Sequence, residues 1–551
     1  MESARGEIEQ RRNEGQQKIE QDQRKIEEQH RKIRRIPEET SMLGRQLNGS
    51  TLITSLPQDI LEAIFAVYSH IDHDSILEGS FGQRWDVYEW LQLITQVCQR
   101  WHNVALRTHA LWANIILNDR SHVQDMLLRS GDAPLTVVAM ESEQFDNLEL
   151  CLPHLHRVRE LGLHSVTKTK LDTFVRQHNL EPLHLQSLTV TCEPEYNFRA
   201  GTLELVFEPS QLRSLEISGF VLDFNRIPFL PRLEHLSYSL EENLLSEVFP
   251  LLCRTPALKT LNLEDFDVGS KSTVHLMPQA DHPRIPLPKL RHMNIVSVVE
   301  HCVELLRHLD LTPLTSLHLT LRSCISDRIE STRNAAALKE ILSFVDKAIP
   351  CNALSSVKFR SLPHMIFEAW KSGSGSGTVG SAWTAPDVRL GINDTSFEDA
   401  FEEFVTMVGG SLSLTNVKTI STFSDIPFRH WHSLFGYMHH VTALEVTEVK
   451  DGINLPNALT VHSGHPESSN YQRGGQHGED MLFPSLRTLW IRRYLDHQDL
   501  GAYTCSLAAA LESRRLGNKK FQQVVLHAPV SVHSDVSARL EEAVEELTLV
   551  Q

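Results

Sequence analysis

Several features are scarce or missing in this 551-residue chain. No apolar run approaches the roughly 20 residues that a helix needs to cross a bilayer. The opening stretch, Met1 to Arg12, is polar and has no apolar centre, so no secretory signal is expected there. None of the eight cysteines belongs to a Cys-x-x-Cys pair; they stand at Cys98, Cys151, Cys192, Cys253, Cys302, Cys324, Cys351 and Cys505. Spread this widely, mostly inside apolar segments, they read as reduced, buried thiols of an intracellular protein, cytoplasmic or nuclear. Positive charge is also in short supply. There are 53 basic against 70 acidic side chains, and the formal net charge is -17. Nucleic-acid binding calls for clustered positive charge, and anionic membranes attract basic segments, so neither is an expected partner.

Catalytic motifs are missing as well. There is no Walker loop, HExxH or paired-cysteine zinc pattern. Gly375, Gly377 and Gly380 satisfy GxGxxG in form. No strand precedes them and Pro386 blocks a helix soon after, so the match reflects linker composition. His430, His432, His439 and His440 form the densest histidine cluster, with Asp425 nearby. A metal site wants acidic or sulfur companions at set spacing, and they read instead as surface and core histidines. No catalytic residue, metal or cofactor is expected. The enzyme-class alternative is a hydrolase whose site is assembled only in space.

What is present begins with a polar arm. Residues 1 to 36 are dominated by Glu, Gln, Lys and Arg. Ile19, Ile26 and Ile33 fall seven apart, but the companion positions Asp22 and Gln29 are polar. A coiled coil carries apolar residues at both seam positions, so residues 1–50 read as a solvated helix or a partly disordered arm, with weak self-association as the alternative.

Two segments follow that carry more information. The first is Leu56-Pro-Gln-Asp-Ile-Leu-Glu-Ala-Ile-Phe65. Ser55 is a candidate N-cap with Gln58 three residues on, and Pro57 falls in the first turn, where its missing N–H is no loss. Ile60, Leu61, Ile64 and Phe65 share one helix face. The second segment runs Val97-Cys-Gln-Arg-Trp-His-Asn-Val-Ala-Leu106 and closes on Leu111-Trp112. Read as a helix, it puts Val97, Cys98, Trp101, Val104 and Ala105 on one face. A third helix between them, around Trp85 to Ile94, would complete a small core.

The ordered pair Leu56-Pro57, Ile60-Leu61, Ile64-Phe65, then Val97-Cys98, Trp101 and Leu111-Trp112, resembles the F-box, in the style of the large F-box family of mushroom-forming fungi. The resemblance covers about residues 55 to 116. The stretch of about 68–91 is longer and more polar than a minimal F-box, which implies an insertion. The resemblance implies a docking module for a Skp-family adaptor and, through it, a cullin. Leu56, Pro57, Ile60, Leu61, Ile64, Val97, Cys98 and Trp101 are the expected module, with Leu56 and Pro57 at the contact; Trp101 and Trp112 read as core rather than contact.

From about residue 155 a phrase of the form Leu-x-x-Leu-x-Leu recurs. It starts at Val158, Leu185, Leu212, Leu233, Leu258, Leu290, Leu314, Leu354, Val441, Leu486 and Phe521. Each copy alternates apolar and polar residues, as a half-buried strand does. Helical patterns lie between copies, at Leu244–Cys253, Ala335–Ile349, Phe397–Val408 and Leu507–Arg514. The tail places Val536, Leu540, Val544 and Leu547 at helical spacing and reads as a capping helix. The expected fold class is α/β: an arm over 1–50, a small all-α module over 51–118, then over 119–551 an irregular solenoid resembling leucine-rich repeats, with a parallel sheet. Flexible loops are expected at about 372–386 and 462–479. The expected function is the substrate-recognition subunit of a Skp–cullin–F-box ubiquitin ligase, the repeats holding a protein target. The alternative is a scaffold that binds partners through the repeats without a ligase.

Overall fold

The structure is a computed structural model. It describes residues 18, 21, 23–29, 56–77, 89–177, 184–192, 202–203, 211–222, 230–240, 245–265, 284–311, 313–322, 328–349, 353–360, 365–372, 384–393, 400–423, 426, 428–447, 454–460, 481–492, 500–517, 520–527 and 534–550. Ser55, Trp85, Asp425, Cys324, Cys351, the GxGxxG glycines and the expected 462–479 loop lie outside them, as does nearly all of the arm. Within the arm, residues 23–29 are helical and exposed.

The chain divides into two compact units, Met1–Leu163 and His164–Gln551. The first opens with three helices, α1 (Gln58–Leu77), α2 (Glu89–Gln96) and α3 (Gln99–Arg107). A single 3-10 turn, His109–Trp112, follows, and then β1 (Asn114–Ile116), α4 (Arg120–Arg129), β2 (Leu135–Ala139) and β3 (Val158–Val166). β1, β2 and β3 pair in parallel. Asp119 caps α4 by accepting from the backbone N–H groups of Ser121 and His122 at 3.1 and 3.0 Å, and these bonds hold its carboxyl below the usual carboxylate range. Arg157 is buried at the start of β3, donating to Leu127 O, Ser130 Oγ and Ala133 O, which ties the end of α4 to that strand.

The second unit is mixed α/β around a large, mostly parallel sheet. Its strands are β4 (Ser187–Cys192), β5 (Ser214–Ser218), β6 (His235–Leu240), β7 (Thr260–Asp265), β8 (His292–Val298), β9 (Ser316–Arg322), β10 (Leu354–Arg360), β11 (Met365–Lys371), β12 (Val388–Asn393), β13 (Thr419–Phe423), β14 (Ala443–Thr447), β15 (Thr488–Arg492), β16 (Phe521–His527) and β17 (Val544–Val550). β4 to β9 lie side by side in chain order, all parallel. The register stacks like on like. Leu188, Leu215, Leu236, Leu261, Met293 and Leu317 form one row, and Val190, Ile217, Tyr238, Leu263, Ile295 and Leu319 form the next. All twelve side chains are buried. A one-residue slip would turn every one of them to the other face, so the rows lock the register.

The simple succession expected from the repeated phrase then breaks. β10 does not pair with β9. That place is taken by β12, parallel to β9, with β11 next and antiparallel to both β12 and β10; β13 resumes the parallel series on the far side of β10. The cause is local. Only residues 361–364 separate β10 from β11, and a parallel return needs a crossover of a dozen residues or more. The chain must therefore turn back, and two strands fill the gap. β13 to β17 continue in parallel. An aromatic cluster supports the detour. Phe359 meets Phe367 at 5.2 Å and Phe435 at 5.8 Å between ring centroids, and Phe435 meets Trp431 and Phe483 at 5.4 and 6.0 Å.

Helices α5 (Lys168–Gln177), α6 (Leu245–Cys253), α7 (Val299–His308), α8 (Arg328–Ala348), α9 (Ala400–Ser411), α10 (Phe428–Phe435), α11 (Asn454–Leu459), α12 (Leu500–Leu516) and α13 (Ser534–Ala543) complete the unit. α7 to α13 pack consecutively, each on the next. α7 buries Cys302, Val303, Leu305 and Leu306 and packs on β8 and β9.

Four other expectations are corrected. The middle helix of the first module is Glu89–Gln96 rather than one starting at Trp85. The tail is not one helix: α13 ends at Ala543, and Val544 and Leu547 lie on β17, paired to β16. The β-branched run Val544 to Val550 can extend the sheet ladder, which outweighs its helical spacing. Strands β11, β12 and β13 lack the full phrase and were not anticipated. Finally, the cysteines are not uniformly buried. Cys151 and Cys302 are, and burial pushes their thiols up to about 12, but Cys253 and Cys505 are exposed.

One buried cation braces the last repeats. Arg514 on α12 donates from Nη1 to Leu482 O at 2.9 Å and from Nη2 to Phe483 O at 2.6 Å, holding a turn in which Phe483 has φ +50. Burial pulls its guanidinium down to about 10. Arg514→Ala strips two buried carbonyls of their donors and leaves a void, so it should cost about 3 kcal/mol. The half-exposed neighbour change Arg515→Ala should cost at most about 0.5 kcal/mol. Paired denaturation curves check the difference.

Candidate docking surface

The residues anticipated for docking come together in the three-helix module, but they divide between its two sides. α1, α2 and α3 contact one another. Their shared core takes Leu61 and Phe65 from α1, Leu91 and Ile94 from α2, and Val104 and Ala105 from α3, and the adjoining turn adds Leu111 and Trp112. Of the expected contact residues, Leu61 is therefore core, packed inside the module.

The start of α1 is fixed from two directions. Pro57 O accepts from Leu61 N at 3.2 Å, closing the first helical turn. Leu56 is half-buried, and its carbonyl accepts from Arg100 on α3, which ties the entry of α1 to the third helix. Pro57 itself is exposed.

The entry to α3 differs from the expected continuous face. Cys98 is extended, with φ -160 and ψ 166, and is the N-cap: its Sγ accepts from Trp101 N at 3.5 Å. Val97 and Cys98 precede the helix, so they do not share its face. A helix start needs acceptors for its free N–H groups, and the cysteine sulfur supplies a weak one in place of the usual oxygen.

Trp101 is half-buried and meets Phe65 edge-on, 5.0 Å between ring centroids. Its indole Nε1 is buried without a hydrogen-bond partner. Trp112 is buried, donates from Nε1 to Ala105 O at 2.9 Å, and lies under the Arg129 guanidinium at 4.4 Å. Trp112 is thus core, as the sequence suggests, while Trp101 straddles core and surface.

On the outer side the module carries an apolar surface. Ile60 is 44% exposed, Ile64 42%, Val67 62%, Leu93 52% and Val97 44%. Ile60, Ile64 and Val67 stand at i, i+4 and i+7, one face of α1. Val67 and Leu93 were not singled out in the sequence, although Val67 continues the spacing of Ile60 and Ile64 by one turn. Scattered exposed leucines are normal on any protein, whereas a row on one helix face beside further exposed apolar residues marks an interaction surface.

The histidine cluster does not assemble a metal centre. Trp431 between two of its members is buried, donating to Ile426 O at 2.9 Å, while His439 and His440 are exposed in a turn. Among the described residues no group of three or more His, Cys, Asp or Glu is placed to hold a metal ion, and no helix is long and apolar enough to cross a membrane. No protein-family model matches the chain, and no curated protein matches it.

The two sides of the module should respond differently to truncation. Phe65→Ala should cost about 3–5 kcal/mol of stability, whereas Ile60→Ala and Val67→Ala should each cost under about 1 kcal/mol. Trp101→Phe should be close to neutral, because it keeps the ring against Phe65 and removes a buried N–H that has no acceptor. Melting curves of the four variants test the division.

Proposed function

We propose that this chain is a non-catalytic recognition subunit that docks by its N-terminal helical module onto a Skp-family adaptor, and through it a cullin, and holds a protein target on its repeat region for ubiquitin transfer. The observation that carries the reading is the exposed apolar row Ile60, Ile64 and Val67, with Leu93 and Val97, on a module whose opposite side is already satisfied by its own core. Had both sides of these helices been buried, nothing would remain for an adaptor to grip. The order of Leu56-Pro57, Ile60-Leu61, Ile64-Phe65, Val97-Cys98 and Trp101 supports the same reading through its resemblance to the F-box.

Magnitudes set what the surface can do. Burying the exposed half of one such side chain contributes about 1 kcal/mol, so five supply about 5 kcal/mol. Association itself costs at least about 4 kcal/mol in lost freedom of motion, so the row alone gives weak binding and the rim must contribute too. Loss of even two of these side chains is then felt.

Ile60→Ala with Ile64→Ala should weaken adaptor binding about thirtyfold, the equivalent of some 2 kcal/mol, with an unchanged melting temperature. Leu56→Ala with Pro57→Ala should abolish co-purification of the adaptor while the repeat region stays folded. Adaptor capture at wild-type strength by either double variant would remove the docking claim. A scaffold working without a ligase would fail to capture the adaptor even as wild type.

A further inference from the structure

The sheet of the second unit carries a charged row on the face opposite its apolar layer. Register places Arg389 of β12 beside Glu368 of β11, then Lys358 of β10, Ser421 of β13, Glu445 of β14 and Trp490 of β15. Their chain neighbours Leu390, Phe367, Val357, Ile420, Leu444 and Leu489 are core, so by alternation these six face the other way. Arg360 and Arg492 lie two residues further along β10 and β15. Six strands abreast make the row about 24 Å long.

Its charges do not balance. Four cations, Lys358, Arg360, Arg389 and Arg492, accompany two carboxylates, Glu368 and Glu445, both buried. Arg360 Nη2 donates to Glu368 at 2.8 Å, Arg389 Nε lies 3.8 Å from the same carboxylate, and Arg492 Nε is 2.8 Å from Glu445 without hydrogen-bond alignment. A ladder serving stability alone would pair cations and carboxylates one to one. Here two positive charges are in excess within a chain of net charge -17. Polar atoms are also left over. Ser421 Oγ, Arg360 Nε and Glu445 Oε2 are buried without partners, and Ser421 is 1% exposed. Buried polar groups are normally satisfied, so these three mark a place where something else binds. The ammonium of Lys358 is held below the usual lysine range, first by burial and then by Arg360, with Arg492 adding to the effect against Glu368 and Glu445.

We propose that this row binds an extended peptide segment of the recruited protein through an oxyanion on one of its side chains, phosphorylated or acidic, seated against Lys358, Arg360 and Ser421. Arginine and lysine supply charge-assisted donors, Ser421 a hydroxyl, and Glu445 an acceptor for a backbone N–H of the segment. The arginine side chains at both ends of the row are half-exposed, and a row of this length suits an extended segment better than a small free anion. The inference rests on the repeat region being the target-holding part, and names the class of target; it does not involve the adaptor.

The test is calorimetric titration of the full chain with an acetylated, amidated glycine pentapeptide whose central residue is phosphoserine, glutamate or serine, and with inorganic phosphate. The phosphoserine or the glutamate peptide should bind at least about tenfold more tightly than the serine peptide, and the difference should shrink with added salt. Lys358→Met and Arg389→Gln should each weaken that binding about tenfold. Lys358→Met should melt no lower than wild type, since it removes a desolvated surplus charge. The Leu56→Ala, Pro57→Ala variant should bind the peptides normally, which separates this inference from adaptor docking. Equal affinity for all three peptides would overturn the proposal. So would inorganic phosphate binding as tightly as the best peptide, or a Lys358→Met chain that melts lower yet binds unchanged.

Discussion

A leucine on one strand can leave water only if a leucine stands at the same height on the next. That requirement governs the second unit. Each short strand alternates apolar and polar residues, and none is long enough to bury its apolar side alone. Stacked in register, Leu188 through Leu317 and Val190 through Leu319 make two continuous buried rows, and the helices from α7 onward pack consecutively beside them. Stability is thus shared between neighbours, and every insertion must be accommodated at the strand ends, outside the rows.

The same alternation creates the functional face. If one side of every strand is committed to the core, the other side is free to vary, and its side chains line up across strands that are far apart in sequence. Arg389, Glu368, Lys358, Ser421, Glu445 and Trp490 come from six strands and over a hundred residues of chain, yet register sets them abreast. The three-helix module follows a parallel logic at smaller scale. Leu61 and Phe65 hold its core, and the adjacent positions Ile60 and Ile64 are left outside. In both units, a regular period separates what holds the structure from what is available to another molecule.

Much of this was legible in the chain. All eleven recurring phrases fall on strands, and the helical patterns at Ala335–Ile349 and Leu507–Arg514 fall within α8 and α12. The starts of α1 and α3 were legible to within a residue or two, but the role of Cys98 was not, because a cysteine as N-cap carries no common signature. β11 and β12 were missed because they arise from a turn-back that the phrase does not encode. β17 was missed because Val544 and Leu547 satisfy a helical period as well as a strand's, and only pairing with β16 decides between them. In the docking surface, Ile60 and Ile64 could be named, but not their separation from Leu61, since a four-residue stretch does not say which side of the helix meets α3.

By itself the sequence determined the elements: a Pro-started amphipathic helix pair near the front, and a long series of half-apolar strands separated by helices. These follow from local periodicity, which acts over a few residues and is written into them. Tertiary structure decided everything that depends on who stands beside whom. It placed β12 rather than β10 against β9, set four cations around two buried carboxylates, and left Ser421 and Glu445 with unpaired polar atoms. Such neighbours are chosen by the length of a connecting loop and by the fit of rings such as Phe359, Phe367 and Phe435. Both are properties of the assembled chain, and neither has a period that can be read along it.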